Sequence, residues 1–197
     1  MAIVLASASR ARRVMLEQAG VDLIVDPAAI DEAAIKESAA AEKTSPAVLA
    51  ETLAELKARR VSPRHGGRII IGSDQILECE GRLFDKPADP AEARRHLLTL
   101  RGRTHRLIAS AVALRDGARL WHHTAEAKLT MRNFSDEFLD SYLAHAGSRV
   151  LESVGAYQLE AEGAQLFSEI AGDYFTILGL PLLPLLGFLR AQSELAT

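Results

Sequence analysis

The chain has 197 residues, of which 48% are hydrophobic and 25% are charged, and its formal net charge is -3. This length allows one hydrophobic core, or one core shared by two lobes, and it excludes a large multidomain assembly. The slightly acidic balance excludes a broad basic surface for nucleic acid or for an anionic membrane. The single cysteine, Cys79, excludes an internal disulfide and a zinc finger, and it fits a reducing compartment.

The first segment predicts a short buried strand at Ala2–Leu5 and a helix that Ser9 caps and that ends at Gly20. Three arginines, Arg10, Arg12 and Arg13, crowd the first turn of this helix, where the positive end of the helix dipole disfavours cations. A bound phosphate would resolve the conflict, because backbone N–H groups, serine hydroxyls and arginines would then converge on one anion. The alternative is that the arginines simply point into water.

Neither apolar stretch of the sequence has the pattern of a targeting or membrane segment. The arginines follow the apolar start of the chain, whereas a signal peptide has its positive charges before the apolar run. The stretch from Tyr174 to Leu189 is shorter than a membrane span and is interrupted by Gly179, Pro181 and Pro184. We therefore expect a cytoplasmic protein in which this stretch belongs to the core.

A second strand is predicted at Val21–Val25, and the Ala- and Glu-rich segment from Ala28 to Thr44 is the nearest match to a mobile connection. Within that segment, Asp31 and Glu32 are hard oxygen donors that either ligate a cation or remain solvated. Pro46 then opens a helix that is predicted to run to about Arg64.

The central feature is a hairpin whose first strand, Ile69–Leu77, starts with three isoleucines, a run typical of burial on both faces, and then carries the charged Asp74 before apolar residues resume at Ile76. A carboxylate at such a position needs a partner, a metal or a proton. The turn at Glu80-Gly81 reverses the chain, and Arg82–Phe84 returns as a short strand that leads to Lys86. Asp74 is therefore either a functional acid or one half of a buried Asp-Lys ion pair that holds the hairpin.

The remaining elements alternate between helix and strand without a strict repeat. They are predicted, in chain order, as a helix at Ala91–Leu100, strands at Arg103–Leu114 and Ala118–Met131, a helix ending at Ala146, a loop at Gly155–Glu160, a strand at Ala164–Ile170 and a helix at Pro181–Ala191. The two hairpins imply antiparallel pairing. We expect one domain over residues 1–197, with a mixed α/β sheet bent into two lobes around a central cleft.

A set of short motifs, in order along nearly the whole chain, resembles the Maf (septum-formation inhibitor) family of nucleoside triphosphate pyrophosphatases. The motifs are Leu5–Arg13, Asp31-Glu32, Leu53–Ala58, Gly72–Gln75, Lys86-Pro87, Arg101–His105, Gly155–Tyr157 and Gly179–Leu182. The resemblance implies an ITPase-like fold, a divalent cation (Mg²⁺ or Mn²⁺), a homodimer, and cleavage of a nucleoside triphosphate to a monophosphate and pyrophosphate.

The resemblance also implies roles for particular residues. Asp74 would be the base or the carboxylate that positions water, and Glu32 would ligate the metal together with Asp74. Lys57 and Lys86 would hold the phosphates at the reacting bond. The other predicted substrate-binding residues are Ser7, Ser9, Arg12, Arg13, Gln75 and Gln158.

Sequence differences between branches of the family bear on which nucleotide base is accepted. Gln75 and the lysine-free Ser153-Val154 favour 7-methyl-GTP, whereas Gly155–Tyr157 is closer to the branch that acts on dTTP and UTP. A second hypothesis is a regulator of cell division that binds a nucleotide without turning it over. A third, hydrolysis through an aspartyl-phosphate, lacks the paired Asp-x-Asp after a strand.

Overall fold

The computed structural model describes residues 2–196, which form seven strands and seven α-helices. The strands are β1 Ile3–Leu5, β2 Leu23–Val25, β3 Ile70–Cys79, β4 Arg82–Phe84, β5 Thr104–Arg115, β6 Ala118–Met131 and β7 Phe167–Ala171. The helices are α1 Arg10–Gln18, α2 Glu32–Ala41, α3 Pro46–Val61, α4 Pro90–Leu100, α5 Asp136–Ala146, α6 Tyr174–Ile177 and α7 Leu182–Ala191.

The described strands form one sheet in the order β2-β1-β3-β5-β6-β7, with β4 paired to β3. Strand β1 is parallel to both β2 and β3, whereas β4 is antiparallel to β3 and β7 is antiparallel to β6. The predicted mixed α/β sheet is therefore confirmed. None of the helices in the described part of the chain has the length and apolarity that a membrane crossing requires.

The chain divides into two compact units. Within the described residues, the first unit comprises residues 2–75, 108–125 and 174–196, and the second comprises residues 76–107 and 126–173. Strands β3, β5 and β6 contribute residues to both units. The single domain and the central cleft remain predictions.

The first unit has apolar packing on both faces of the sheet. Ile69 and Ile71 pack with α1 and α7 residues such as Leu16 and Leu185, whereas Ile70 packs on the opposite face with α3 residues such as Ala58. Because successive side chains of a strand point to opposite faces, the isoleucine run indicated this double burial. All three isoleucines are 0 to 1% exposed, as predicted.

The second unit contains a small aromatic cluster around a buried histidine. The Tyr157 and Phe167 rings meet edge to face at 4.8 Å, and His105 Nε2 lies 2.7 Å from Tyr157 Oη. Burial lowers the pKa of His105 to about 4, so the ring is neutral at physiological pH. Burial also raises the pKa of Tyr157 well above its usual value.

Helix caps agree with the sequence signals, because Ser9 accepts a hydrogen bond from the Arg12 backbone N–H and Asp89 caps α4 in the same way. The main differences from prediction lie in three segments. The supposed mobile segment from Ala28 to Thr44 contains α2, capped by Asp31. Helix α3 ends at Val61, where a short 3₁₀ turn follows, and β7 begins at Phe167 because residues 162–166 form another 3₁₀ turn.

Candidate active site

The site begins with an unusually close approach between α3 and β3 in the first unit. A Cβ at Gly72 would lie 1.9 Å from the carbonyl oxygen of Ala54 and 2.9 Å from the backbone nitrogen of Ala58. Only glycine leaves space for the helix backbone at this point of the strand. The contact brings Lys57, on α3, against Asp74, two residues beyond Gly72 on β3.

Lys57 lies between two carboxylates. Its Nζ is 2.5 Å from Asp74 Oδ1 and 2.7 Å from Glu32 Oε1. Lys57 and Asp74 are 8% and 6% exposed, whereas the Glu32 side chain, in the first turn of α2, is 42% exposed. Partial burial alone would raise the pKa of Glu32, but the hydrogen bond and charge of Lys57, helped by Lys36 and Arg12, bring it below the usual value.

Arg12 is the buried member of the predicted arginine cluster. Its Nε donates to the carbonyl of Gly179 at 2.7 Å, and its Nη1 donates to Ser7 Oγ at 3.1 Å and to the carbonyl of Ser73 at 3.0 Å. Burial lowers its pKa, and the negative charges of Asp74 and Glu32 oppose that effect. Arg12 is therefore fixed by neutral acceptors while its charge acts on both carboxylates.

Two β3 side chains bind the backbone segment that ends at Gly179. Ser73 Oγ donates to the Gly179 carbonyl at 3.1 Å, and Gln75 Nε2 donates to the carbonyls of Thr176 and Ile177 at 3.0 and 2.9 Å. Both amide protons of Gln75 are thus used within the protein, so its side-chain oxygen is the remaining polar atom. The segment and Arg12 are held together through Gly179.

The other predicted phosphate ligands near α1 differ in how far they are exposed to solvent. Ser7 is buried, and its Oγ also accepts from the Ser9 backbone N–H at 3.2 Å. Ser9 caps the helix, so its hydroxyl is engaged with the backbone. Arg13 is exposed, with its Nε 3.7 Å from Glu17. The alternative that the arginines point into water thus holds for Arg10 and Arg13 and fails for Arg12.

The structure brings six of the predicted site residues together in the first unit: Ser7, Arg12, Glu32, Lys57, Asp74 and Gln75. Lys86 and Gln158 belong to the second unit. Lys86 is exposed after β4, and Gln158 is half-buried, with its backbone carbonyl accepting from Ala161. The roles of these two residues remain predictions.

Sequence reasoning missed the groups that orient Arg12. Ser73 and Gly179 lie within recognised motifs, but their contributions are backbone carbonyls, which every residue has. Thr176 and Ile177, which accept from Gln75, likewise do so through backbone carbonyls. The one available signal is Gly179, whose φ of +99° and close contact with Arg12 leave little space for a side chain.

Two carboxylates of the site provide some of the oxygen ligands that a hard divalent cation needs. Glu32 and Asp74 offer oxygen ligands directed at one point, the position of Lys57 Nζ. Among residues 2–196, however, no group of three or more His, Cys, Asp and Glu side chains is arranged to hold a metal. This donor set suits Mg²⁺ or Mn²⁺ bound through one or two carboxylates, with the remaining ligands from water and phosphate.

A sequence model of a family described as Maf-like protein matches residues 2–192. The chain belongs to the Maf family. Its curated relatives in that family include a nucleoside triphosphate pyrophosphatase of Paramagnetospirillum magneticum, 62% identical over 191 residues that cover 97% of this chain and 98% of that protein. The family prediction made from the ordered motifs is therefore confirmed.

Two further Maf relatives have equally broad coverage. A nucleoside triphosphate pyrophosphatase of Granulibacter bethesdensis is 55% identical and covers 99% of both chains. A 7-methyl-GTP pyrophosphatase of Rhizobium etli is 50% identical and covers 95% of this chain and 94% of that protein. Relatives with general and with specific names thus both align along nearly the whole chain.

Proposed function

We propose that this protein is a nucleoside triphosphate pyrophosphatase that uses one water molecule to split the α–β phosphoanhydride into a nucleoside monophosphate and pyrophosphate. Membership of the Maf family and the names of the full-length relatives support this assignment. The observation that carries it is Asp74, a carboxylate in the core strand β3 that is 6% exposed and held by Lys57. Buried, charge-paired acids of this kind cluster at active sites.

In this proposal Asp74 accepts the proton of the attacking water, and the water oxygen forms the new bond to phosphorus as the bond to the leaving pyrophosphate oxygen breaks. Lys57 holds the Asp74 carboxylate in position before the reaction, because its ammonium donates to Oδ1 at 2.5 Å. Preorganised positive charge is the usual contribution of a protein to phosphoryl transfer. Lys57 and Arg12 supply that charge here, and Arg13 and Lys86 remain proposed phosphate contacts.

We also propose that the reaction needs Mg²⁺ or Mn²⁺, with Glu32 and Asp74 as the protein ligands. When bound, such an ion neutralises charge that develops on the phosphate oxygens. Activity should therefore disappear in chelator and return with either ion. Glu32→Gln should raise the metal concentration needed for half-maximal activity, and unchanged metal dependence would remove Glu32 from the ligand set.

The base preference is proposed as 7-methyl-GTP, with dTTP and UTP as the alternative. The named relatives from Rhizobium etli and Mesorhizobium japonicum, each 50% identical, support the methylated purine. Gln75 supports it less than its sequence position suggested, because its amide protons are donated to Thr176 and Ile177. Measured kcat/KM for 7-methyl-GTP, UTP, dTTP and GTP would decide, and a tenfold advantage for a pyrimidine would refute the preference.

The decisive experiment measures pyrophosphate release from a panel of nucleoside triphosphates by wild type and Asp74→Asn. The variant should lose about 10²- to 10⁴-fold in kcat while it still binds nucleotide, since it lacks the base. Asp22→Asn, at an exposed position of the same unit, is the matched control and should keep full activity. Nucleotide binding without release by wild type would favour the regulatory hypothesis instead.

A homodimer and a cytoplasmic location also remain proposals, supported only by the family resemblance and by the sequence composition. Light scattering coupled to size exclusion would test the first, because a dimer has twice the chain mass of 21.3 kDa. Cell fractionation would test the second.

A further inference from the structure

The ammonium of Lys57 occupies the point at which the two proposed metal ligands converge. Asp74 Oδ1 and Glu32 Oε1 both lie within 2.7 Å of Nζ. Mg²⁺ binds carboxylate oxygens at about 2.0–2.1 Å, so an ion ligated by both of these atoms would need nearly the volume that Nζ fills. The lysine and the ion cannot hold the same two oxygens at once.

The backbone favours the lysine in this competition. Gly72 lets α3 lie directly on β3, so Lys57 and Asp74 project from two elements in close backbone contact. Their side chains are 10% and 9% exposed. Glu32 is the more exposed partner, because its side chain is 42% exposed, and it also lies 4.0 Å from Lys36. Lys57 therefore needs a different anion before it leaves Asp74.

The charge of the cluster points the same way. Arg12 and Lys57 carry two positive charges, Asp74 and Glu32 carry two negative charges, and Arg12 acts on both carboxylates. Adding a divalent cation alone would leave two uncompensated positive charges in a largely buried site, which is strongly unfavourable. A polyphosphate supplies the missing negative charge and a new partner for the ammonium.

We propose that Lys57 is an internal competitor of the divalent cation, which it excludes from Asp74 and Glu32 until a polyphosphate draws its ammonium away. The inference rests on the proposed function for the identity of the anion. Its consequence is positive coupling: the ion alone binds weakly, and nucleotide and ion strengthen each other's binding. The site is thereby kept from filling with metal when no substrate is present.

The test measures Mn²⁺ binding, without nucleotide, by the electron paramagnetic resonance signal of the free ion at pH 8. Lys57→Met keeps the length of the side chain and removes its charge, so Mn²⁺ should bind about tenfold tighter or more, since a like charge a few ångströms away is gone. Lys57→Arg keeps the charge and should bind Mn²⁺ as weakly as wild type. Lys36→Met, on the outer side of Glu32, controls for general electrostatics and should gain less than about threefold.

Two results would overturn the proposal. One is a well-folded Lys57→Met protein, by circular dichroism, that binds Mn²⁺ no more tightly than wild type. The other is an equal gain in Lys36→Met, because the effect would then be one of net charge and not of occupancy.

A second measurement uses only wild-type protein, so it does not depend on how the variants fold. Mass spectrometry follows the labelling of Lys57 by an amine-reactive reagent without ligands, with Mg²⁺ alone, and with Mg²⁺ plus an α,β-methylene nucleoside triphosphate, which cannot be hydrolysed at that bond. Labelling of Lys57 relative to Lys36 should be unchanged by Mg²⁺ alone, because the ammonium stays on Asp74, and should change several-fold only when both ligands are present. A several-fold rise with Mg²⁺ alone would refute the proposal, as would no change with both ligands. Neither measurement uses turnover, so missing pyrophosphate release would count against the proposed function alone.

Discussion

Gly72→Ala tests whether the close approach of α3 to β3 builds the site. The new Cβ would lie 1.9 Å from the Ala54 carbonyl oxygen and 2.9 Å from the Ala58 nitrogen. The first pair of atoms would have to separate by roughly 1.5 Å to reach ordinary van der Waals contact. Backbone lies on both sides of the clash, so no side-chain rotation can relieve it, and α3 must move away from the strand.

The expected loss of stability is about 3 kcal/mol, the upper end of the 1–3 kcal/mol that overpacking usually costs, because rigid backbone is displaced. For a chain of this size that loss lowers Tm by roughly 6–12 °C. The same movement carries Lys57 away from Asp74, so kcat for pyrophosphate release should fall together with stability.

Urea denaturation monitored by circular dichroism measures the loss of stability. Pyrophosphate release, measured well below Tm, gives the fall in kcat. Gly66→Ala and Gly187→Ala are matched controls, because the nearest atom to a Cβ lies 4.0 Å away at Gly66 and nothing lies within 4 Å at Gly187. Gly187 is in α7, so its change should stabilise by up to about 1 kcal/mol. A Gly72→Ala protein with the denaturation midpoint and activity of wild type would refute the reasoning.

Three further predictions follow from the described contacts. Arg12→Ala should lower the free energy of unfolding by about 2–4 kcal/mol in urea titrations, since buried acceptors lose their donors. Arg13→Ala, at an exposed position, is the control and should change that free energy by less than about 0.5 kcal/mol. Equal effects of the two substitutions would contradict the prediction. Between about pH 6.5 and 4, stability should fall by about 3 kcal/mol as pH decreases, because unfolded His105 takes up a proton that the folded form, with its pKa lowered to about 4, does not. His105→Gln should remove that part of the pH dependence and leave the curve above pH 6.5 flat as before, and an unchanged slope would exclude His105 as its source. Gln75→Glu should destabilise by about 1–3 kcal/mol at pH 8, because a carboxylate would face two carbonyls to which it can donate nothing, and a wild-type denaturation midpoint would show that these bonds are not needed.

Some features were predictable because they follow from local chemistry. The isoleucine run indicated a strand buried on both faces, and the carboxylate that follows it in the same strand, Asp74, was expected to need a partner, which Lys57 supplies. Serine and aspartate caps gave the starts of α1 and α4. Helix α2 was hidden because none of its residues is buried, so it has no apolar face to produce a helical period.

Other features depend on tertiary packing. The sequence placed Lys57 in a helix and Asp74 in a strand, but their contact depends on how closely the two elements approach at Gly72. The helix-dipole argument identified three crowded arginines without showing which one turns inward. Arg12 does so because its acceptors, the carbonyls of Ser73 and Gly179, lie in the interior. These residues are distant from Arg12 in sequence, so no local pattern points to them.

The hydrogen bond from Arg12 to Gly179 spans 167 positions of sequence, and the one from Ser73 spans 106. Translation adds about 5–20 residues per second, so roughly 8–30 s pass between synthesis of the arginine and of its acceptor. Every acid and base of the cluster in the first unit has been made by residue 74, long before the carboxyl-terminal segment exists. A chain whose synthesis has not reached residue 179 therefore carries the charged groups without the carbonyl that orients Arg12.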